Sequence, residues 1–142
     1  MSLWILDTDH VSLLLVGHPQ ISRRVTELGS DVAITVVTVQ ELFNGWVVQI
    51  NNAREAKDFV RLYGKFSRTI TLCKRVPIKD FDQVAGDRYQ QMLMEIPSLS
   101  KRRLQKDLRI AAIALSVGAT VVTRNYRDFS QIPGLLLENW TQ

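Results

Sequence analysis

Short apolar runs alternate with longer segments of helical periodicity along this chain, and few folds accommodate such a pattern. The predicted strands cover residues 3–6, 32–37, 69–72, 120–123 and 135–137. The clearest is 32–37, which is rich in β-branched residues. Strands that alternate with helices are joined by right-handed crossovers into a mostly parallel sheet. The sequence therefore predicts an α/β fold, a three-layer α/β/α sandwich around a mostly parallel central sheet of four to five strands.

The helices are predicted from capping residues and from apolar side chains at helical spacing. Asp9 is the expected N-cap of the first helix, and Thr38 with Glu41 fits a capping box that opens the third. The remaining predicted helices cover residues 21–28, 54–66, 80–94 and 104–117. The last of these is the strongest, because its apolar residues form one continuous stripe and Gly118 follows as the expected C′ residue.

Length and composition bound the class of protein. With 142 residues, 46% of them hydrophobic, the chain is expected to form a single domain over residues 1–142 without help from disulfides. Cys73 is the only cysteine and is expected to be a small buried hydrophobe, which fits a reducing cytoplasm. Asp7 and Asp9 interrupt any signal peptide, and no apolar run approaches the roughly 18–20 residues that span a bilayer. A cytoplasmic protein that does not contact membranes is expected.

Three carboxylates fall at the carboxyl ends of predicted strands, and a fourth, that of Asp107, could approach the same edge of the sheet. Asp7 follows the first strand, Glu41 lies just after the second, and Asp128 lies in the loop after the fourth. Asp107 opens the helix that leads into the fourth strand. Ligands of parallel sheets bind at the carboxyl ends of the strands. Carboxylates that converge there repel one another unless a hard cation neutralises them, so the sequence predicts an Mg²⁺ or Mn²⁺ site.

Each carboxylate also has a purely structural interpretation. Asp7 is placed to cap the following turn. Glu41 is placed to accept from the backbone amide of Thr38, and when Glu41 is considered by itself this capping role is favoured over metal binding. Asp107 complements a helix dipole, and Asp128 alone is an ordinary loop acid. The four acids taken together favour the metal site. The chain has a net charge of +4, and an acidic pocket in a basic protein suits a nuclease, because the surface attracts phosphate and the pocket binds the metal.

Other polar residues are assigned smaller parts in this hypothesis. Thr8 and Thr123 stand at strand ends, where a hydroxyl could bond a ligand water or a phosphate, although a cap or turn role is equally open. His10 is interpreted as a surface or packing residue in preference to an RNA contact. The residues expected to hold an RNA backbone are Lys101, Arg102, Arg103, Lys106, Arg109, Arg124 and Arg127.

Four segments, taken in order, resemble the PIN-domain family. They are residues 6–9 (LDTD), 37–42 (VTVQEL), 107–115 (DLRIAAIAL) and 122–129 (VTRNYRDF). The likeness is closest to the VapC-type toxins of bacterial toxin–antitoxin pairs and spans essentially the whole chain. It implies an endoribonuclease that uses Mg²⁺ or Mn²⁺ to activate water. It also implies a homodimer and a cognate antitoxin whose tail enters the active site.

The resemblance assigns roles to individual acids. Asp7, Glu41 and Asp107 match the family's three principal acids. Asp7 and Asp107 would ligate the principal metal, and Glu41 would bind it directly or through water. Asp128 matches a fourth acid that is less fixed in the family, where Asn125 or its equivalent is sometimes the nearer contributor. Asp128 would hold outer waters or a second ion.

Two further features follow from the same comparison with the family. Thr8 and Thr123 match positions of supporting hydroxyls. The loop 98–103 lacks the glycine that the family often carries before the third acid, which affects the predicted substrate channel and leaves the metal site untouched. A dimer face is expected on the helices that carry Trp46 and Phe59.

Two other functions are compatible with acids gathered in an α/β fold. A phosphoacceptor signalling domain also gathers acids at strand ends, but it needs a lysine there, and this chain offers Arg124 and Glu138 instead. A catalytically inactive PIN-like module that only binds RNA or protein should have lost acids, whereas this chain retains all four.

Overall fold

Five short strands form the central sheet of this computed structural model, which describes residues 2–142. They are β1 (Trp4–Leu6), β2 (Val32–Thr35), β3 (Ile78–Lys79), β4 (Thr120–Val122) and β5 (Leu136–Glu138). All four pairings are parallel, and the strand order is β3-β2-β1-β4-β5. The predicted mostly parallel sheet is confirmed.

Within residues 2–142, seven α-helices surround the sheet. They are α1 (Thr8–Leu15), α2 (Pro19–Leu28), α3 (Val36–Asn52), α4 (Ala56–Arg75), α5 (Gln83–Glu95), α6 (Gln105–Val117) and α7 (Tyr126–Phe129). Gly118 ends α6 with a φ of 67°, the left-handed conformation expected of a C′ glycine. No helix within residues 2–142 has the length and apolar character needed to cross a bilayer.

Two apolar clusters cover the two faces of the sheet. Successive strand residues point to opposite faces, so Ile5 and Leu6 enter different clusters. Ile5 packs in the cluster that α5, α6 and α7 complete, whereas Leu6 packs with residues of α1 and α2 and with Trp140. Both faces of β1 are thus covered, and the α/β/α sandwich is confirmed.

The order of the strands determines where a ligand can bind. From β1 the chain proceeds outward to β2 and β3 on one side, and β4 and β5 lie on the other side. The reversal between β1 and β4 opens a crevice at their carboxyl ends. Asp7 follows β1 directly and Thr123 follows β4 directly, so both lie at this crevice.

The prediction of a third strand at residues 69–72 was wrong. These residues belong to α4, and the strand of this region is β3, at Ile78–Lys79. Thr69 is fully buried, its hydroxyl donates to the Lys65 carbonyl oxygen (3.0 Å), and it accepts from Trp46 Nε1 (2.9 Å). Packing against α3 therefore overrides the strand preference of a β-branched run. Cys73 lies on the same helix and is half-buried, and burial raises the pKa of its thiol.

The predicted caps of α1 and α3 were also wrong. Asp7, not Asp9, caps α1, because its Oδ1 accepts from the His10 backbone N–H (2.8 Å). Thr35 caps α3, because its hydroxyl accepts from the Thr38 backbone N–H (3.2 Å). The helix thus begins at Val36, inside the segment that was predicted as strand 32–37.

Smaller differences concern the second half of the chain. The short helix α7 was not predicted, and β5 begins one residue later than expected. The loop 98–103 is largely folded into two 3₁₀ turns, Pro97–Ser100 and Arg102–Leu104. These turns bury Leu99 and Leu104 in the cluster beside α6, so the segment before Asp107 is anchored to the core.

Candidate active site

Asp7 stands at the carboxyl end of the central strand and is held by both of its oxygens. The residue is only 5% exposed. Its Oδ1 accepts the His10 backbone N–H and lies 3.2 Å from His10 Nδ1. Its Oδ2 accepts a hydrogen bond from Thr123 Oγ1 at 2.7 Å, and Thr123 is fully buried. Because both oxygens have protein donors, the orientation of this carboxylate is fixed.

Glu41 is turned toward the same crevice by Thr8. Thr8 Oγ1 donates to Glu41 Oε1 at 2.7 Å and lies 3.0 Å from Thr38 Oγ1. Since a hydroxyl has one proton, Thr8 accepts from Thr38. With the cap supplied by Thr35, the expected bond from Glu41 to the Thr38 amide is not made. The structural interpretation of Glu41 is therefore removed.

Asn125 connects the other two acids. Its Nδ2 donates to Asp107 Oδ2 (3.2 Å) and to Asp128 Oδ2 (3.0 Å), and its backbone N–H donates to Thr123 Oγ1 (2.8 Å). Arg103 donates to the second oxygen of Asp128 at 2.9 Å. Asn125 thus contacts Asp107 directly, whereas Asp128 lies beyond it with both oxygens already bonded.

The charges of this cluster act mainly on Asp107. Burial, followed by the nearby carboxylates of Asp7, Glu41 and Asp128, raises the pKa of Asp107 from 3.8 to about 6, against a smaller opposing effect of the Asn125 hydrogen bond. The pKa of Asp128 is instead lowered, chiefly by its hydrogen bond from Asn125. The four predicted acids form one electrostatic cluster, and its negative charge is least compensated at Asp107.

The donor set fits a hard divalent cation. Asp7, Glu41 and Asp107 offer carboxylate oxygens, which Mg²⁺ and Mn²⁺ prefer, and the raised pKa of Asp107 indicates negative charge that a cation would neutralise. Within residues 2–142, the one group of three potential ligands with atoms inside 4.8 Å of one another is Asp7, Asp9 and His10.

That tighter group is less suited to a cation than the carboxylate cluster. Arg124 holds both oxygens of Asp9, at 2.7 and 2.8 Å, and lowers the pKa of that carboxyl. Both ring nitrogens of His10 face polar atoms, namely Asp7 Oδ1 and the Trp140 backbone nitrogen. These contacts favour the hypothesis that Asp7 binds a cation together with Glu41 and Asp107, and not together with Asp9 and His10.

The predicted basic residues border the cluster without forming one free surface. Arg103 and Arg124 are paired with Asp128 and Asp9, and Lys106 Nζ lies 3.9 Å from Glu41 Oε2. The guanidinium of Arg109 is 5.9 Å from the ring centroid of Tyr89 on α5. Lys101, Arg102 and Arg127 are also exposed.

Sequence reasoning missed part of the support for Asp7. The predicted packing role of His10 agrees with its complete burial, but its ring also contacts Asp7 and the backbone of Trp140. Proximity to Asp7 in the sequence was the only available signal. The contact with Trp140 joins residues 130 positions apart, and only the fold brings them together.

Comparisons with known proteins give a consistent picture. No model of a protein family matches the chain. Ribonuclease VapC2 of Rickettsia felis is 28% identical over 141 residues, which cover 97% of this chain and 98% of that protein. The tRNA(fMet)-specific endonuclease VapC of Salmonella typhimurium is 26% identical over 141 residues, 96% and 97% of the two chains. A chain in the crystal structure of DNA-bound VapBC from Salmonella typhimurium superposes with a TM-score of 0.78, at 26% identity and with 99% of both chains covered.

Proposed function

We propose that the chain is a PIN domain of the VapC type, which acts as a metal-dependent endoribonuclease and as the toxin of a toxin–antitoxin pair. The relatives that match it over nearly their whole length are named as a ribonuclease and an endonuclease. The observation that carries the proposal is the gathering of four carboxylates at one crevice, where Asn125 bonds both Asp107 and Asp128. Burial, followed by the three neighbouring carboxylates, raises the pKa of Asp107 to about 6 in agreement with this arrangement. Such a cluster calls for a divalent cation.

Mg²⁺ or Mn²⁺ is held in this proposal by Asp7 and Asp107, with Glu41 bound directly or through a water. Asp128, whose oxygens already accept from Asn125 and Arg103, takes outer waters or a second ion. A cation held there would lower the pKa of a bound water and would offset the negative charge that develops on the phosphoryl and leaving-group oxygens during in-line displacement.

The protein's own part is to hold the acids in place before RNA arrives. Thr123 fixes Asp7, Thr8 fixes Glu41, and Asn125 fixes Asp107. Such outer hydrogen bonds typically change metal affinity or activity by about 10–100-fold. The site is therefore preorganised by hydroxyl and amide donors. These donors are uncharged, so the negative charge of the acids remains available to bind the cation.

The RNA backbone is held by the basic residues around the crevice. Lys101, Arg102 and Arg127 are exposed, and Arg103 and Arg124 are paired at the rim with carboxylates that a phosphate would displace. An open cleft of about 290 Å³ extends from Glu41 and Thr8 along α3 and offers space for an RNA strand beside the acids.

The assembly follows from the same proposal. The whole chain acts as a single cytoplasmic domain that a cognate antitoxin neutralises. A homodimer forms through α3 and α4, on which Trp46 and Phe59 are partly buried and Val60 and Tyr63 are exposed. Co-purification with the product of the neighbouring reading frame tests the antitoxin, and light scattering of the purified chain tests the dimer.

The nuclease is tested by incubating total bacterial RNA with purified protein, with Mg²⁺ or with EDTA. Discrete fragments should form only with Mg²⁺, and Asp7→Asn should lower cleavage by more than about a hundredfold while thermal melting shows an intact fold. Asp80→Asn, which removes an exposed carboxylate outside the site, is the matched control and should cleave normally.

Two outcomes would contradict the proposal. Cleavage by Asp7→Asn at the rate of the wild type would mean that the site is misplaced. Tight RNA binding by the wild type without any cleavage would instead favour the alternative, a catalytically inactive PIN-like module that binds RNA or protein.

A further inference from the structure

His10 is a fully buried imidazole that lies between the candidate active site and the C-terminal segment of residues 139–142. Its Nδ1 is 3.2 Å from Asp7 Oδ1, and its Nε2 is 3.3 Å from the backbone nitrogen of Trp140. The ring therefore joins the metal-binding acid at the end of β1 to the chain that follows β5.

The two contacts determine which ring nitrogen carries the proton. A backbone N–H can only donate, so His10 Nε2 must accept from Trp140 and must be unprotonated. In a neutral imidazole the proton then lies on Nδ1, which donates to Asp7 Oδ1. The Trp140 amide thus determines the tautomer of His10, and this tautomer places a hydrogen-bond donor, Nδ1–H, beside Asp7.

The Trp140 amide is itself firmly held. Trp140 is 3% exposed, its Nε1 donates to Glu138 Oε1 at 3.0 Å, and the Arg24 guanidinium lies 4.9 Å from its ring centroid. Trp4 Nε1 donates to the other oxygen of Glu138 at 3.1 Å, which ties the C-terminal segment to β1. The backbone donor to His10 is consequently fixed from both the indole and the sheet.

We propose that His10 is a positioning residue of the metal site, held in one tautomer by the backbone of Trp140. The inference rests on the proposed function, in which Asp7 binds the cation. A carboxylate oxygen has two lone pairs, and Oδ1 of Asp7 uses both, for the His10 amide and for the His10 ring. Oδ2 accepts only from Thr123 and keeps one lone pair. Oδ2 is therefore the oxygen that Asp7 presents to the cation.

If His10 served only to cap α1, the affinity for the cation would not depend on its imidazole ring. The cap needs only the backbone N–H of His10, which every replacement retains. If the ring orients Asp7, its replacement changes the affinity for the cation. If the ring only fills space, its replacement changes stability alone.

The tautomer is measured directly by two-bond nitrogen–proton correlation spectra of the wild type with ¹⁵N-labelled histidine at pH 7.5. His10 should give the pattern of an Nδ1–H imidazole. His18, the other histidine, is the internal reference, because its Nδ1 accepts from the Ile21 backbone N–H (3.4 Å) and it should show the opposite tautomer. An Nε2–H pattern for His10 would overturn the proposal. This test needs no metal and no folded variant.

The effect on the site is measured by titrating Mn²⁺ into wild type, His10→Asn and His10→Gln. Asparagine places an amide donor near the position of Nδ1, whereas glutamine reaches the position of Nε2 and offers Asp7 nothing. We expect His10→Gln to bind Mn²⁺ about tenfold more weakly, and His10→Asn to remain within about threefold of the wild type. Val11→Ala, a packing change at the neighbouring buried position, should lower the melting temperature and leave the Mn²⁺ affinity unchanged.

The possible outcomes separate this inference from the proposed function. Equal Mn²⁺ affinity in His10→Gln and wild type would overturn the positioning role. Equal losses in His10→Gln, His10→Asn and Val11→Ala would also overturn it, because a general loss of packing would then explain them. If the wild type does not bind Mn²⁺, the proposed metal site fails, and the tautomer spectrum still decides whether His10 donates to Asp7.

Discussion

Replacement of Asp107 by asparagine should stabilise the metal-free protein at neutral pH. The residue is half-buried among Asp7, Glu41 and Asp128, and burial and these carboxylates raise its pKa from 3.8 to about 6. A raised carboxyl pKa means that the folded state disfavours the charged form. Asparagine has nearly the same shape, removes the charge and can still accept from Asn125 through its carbonyl oxygen.

The magnitude follows from the size of that shift. One pKa unit corresponds to about 1.4 kcal/mol, so the shift of Asp107 would be worth about 3 kcal/mol for a fully buried group. Solvent reaches part of this carboxylate and screens the repulsion, which reduces the expected gain of Asp107→Asn to about 1–2 kcal/mol. For a domain of this size, that gain raises the melting temperature by about 3–7 °C.

The gain should also depend on pH with a definite sign. Above pH 6, Asp107 is ionised in both the folded and the unfolded protein, and the folded state bears the full repulsion. As the pH falls from about 6 toward 3.8, the folded protein binds the proton first, so the wild type recovers stability relative to the variant. The advantage of Asp107→Asn should therefore be present in full at pH 7.5 and be largely lost near pH 4.

Urea denaturation in EDTA, at pH 7.5 and at pH 4, measures this difference. Asp128→Asn is the matched control and should destabilise the protein at pH 7.5, because hydrogen bonds from Asn125 and Arg103 lower the pKa of that carboxyl. Added Mg²⁺ should stabilise the wild type more than Asp107→Asn. Lower stability of Asp107→Asn than of the wild type at pH 7.5, or an advantage that persists unchanged at pH 4, would refute this prediction.

Two hydroxyl replacements test contacts that the fold supplies. Thr123→Val should weaken Mn²⁺ binding about tenfold, measured by calorimetry, because it removes the donor to Asp7 Oδ2; unchanged affinity would show that this donor does not orient the acid. Thr69→Val should cost about 1–2 kcal/mol in urea denaturation, because Nε1 of the partly buried Trp46 loses its acceptor. Thr71→Val on the exposed face of the same helix should cost less than about 0.5 kcal/mol. Equal losses for the two threonines would contradict the importance of the Trp46 bond.

The sequence alone was sufficient for the class of fold and for the edge of the sheet at which Asp7, Glu41 and Asp128 lie. Alternating apolar runs and helical segments imply crossovers and a parallel sheet, and the carboxyl ends of such strands meet at one edge. Asp7 lies immediately after β1, so its position follows from the strand itself. The strongest helix, α6, was also predicted to within one residue at its start, because its apolar stripe needs no information from distant parts of the chain.

The tertiary structure decided what local pattern left open. Residues 69–72 have the composition of a strand but are helical, because burial of Thr69 against Trp46 outweighs an intrinsic preference of well under 1 kcal/mol per residue. Glu41 was free to enter the site only because Thr35 caps α3. Both outcomes depend on packing between α3 and its neighbours, which the sequence does not display.

The partners of the charged and buried polar groups were likewise set by the fold. Arg124 meets Asp9, and His10 meets Trp140, across 115 and 130 positions of sequence. The residue types alone predicted a basic surface and a packing histidine. Hydrogen bonds and ion pairs form only within about 3–4 Å. The parallel pairing of β1, β4 and β5 brings these distant segments within that range, and it therefore determines which donor meets which acceptor.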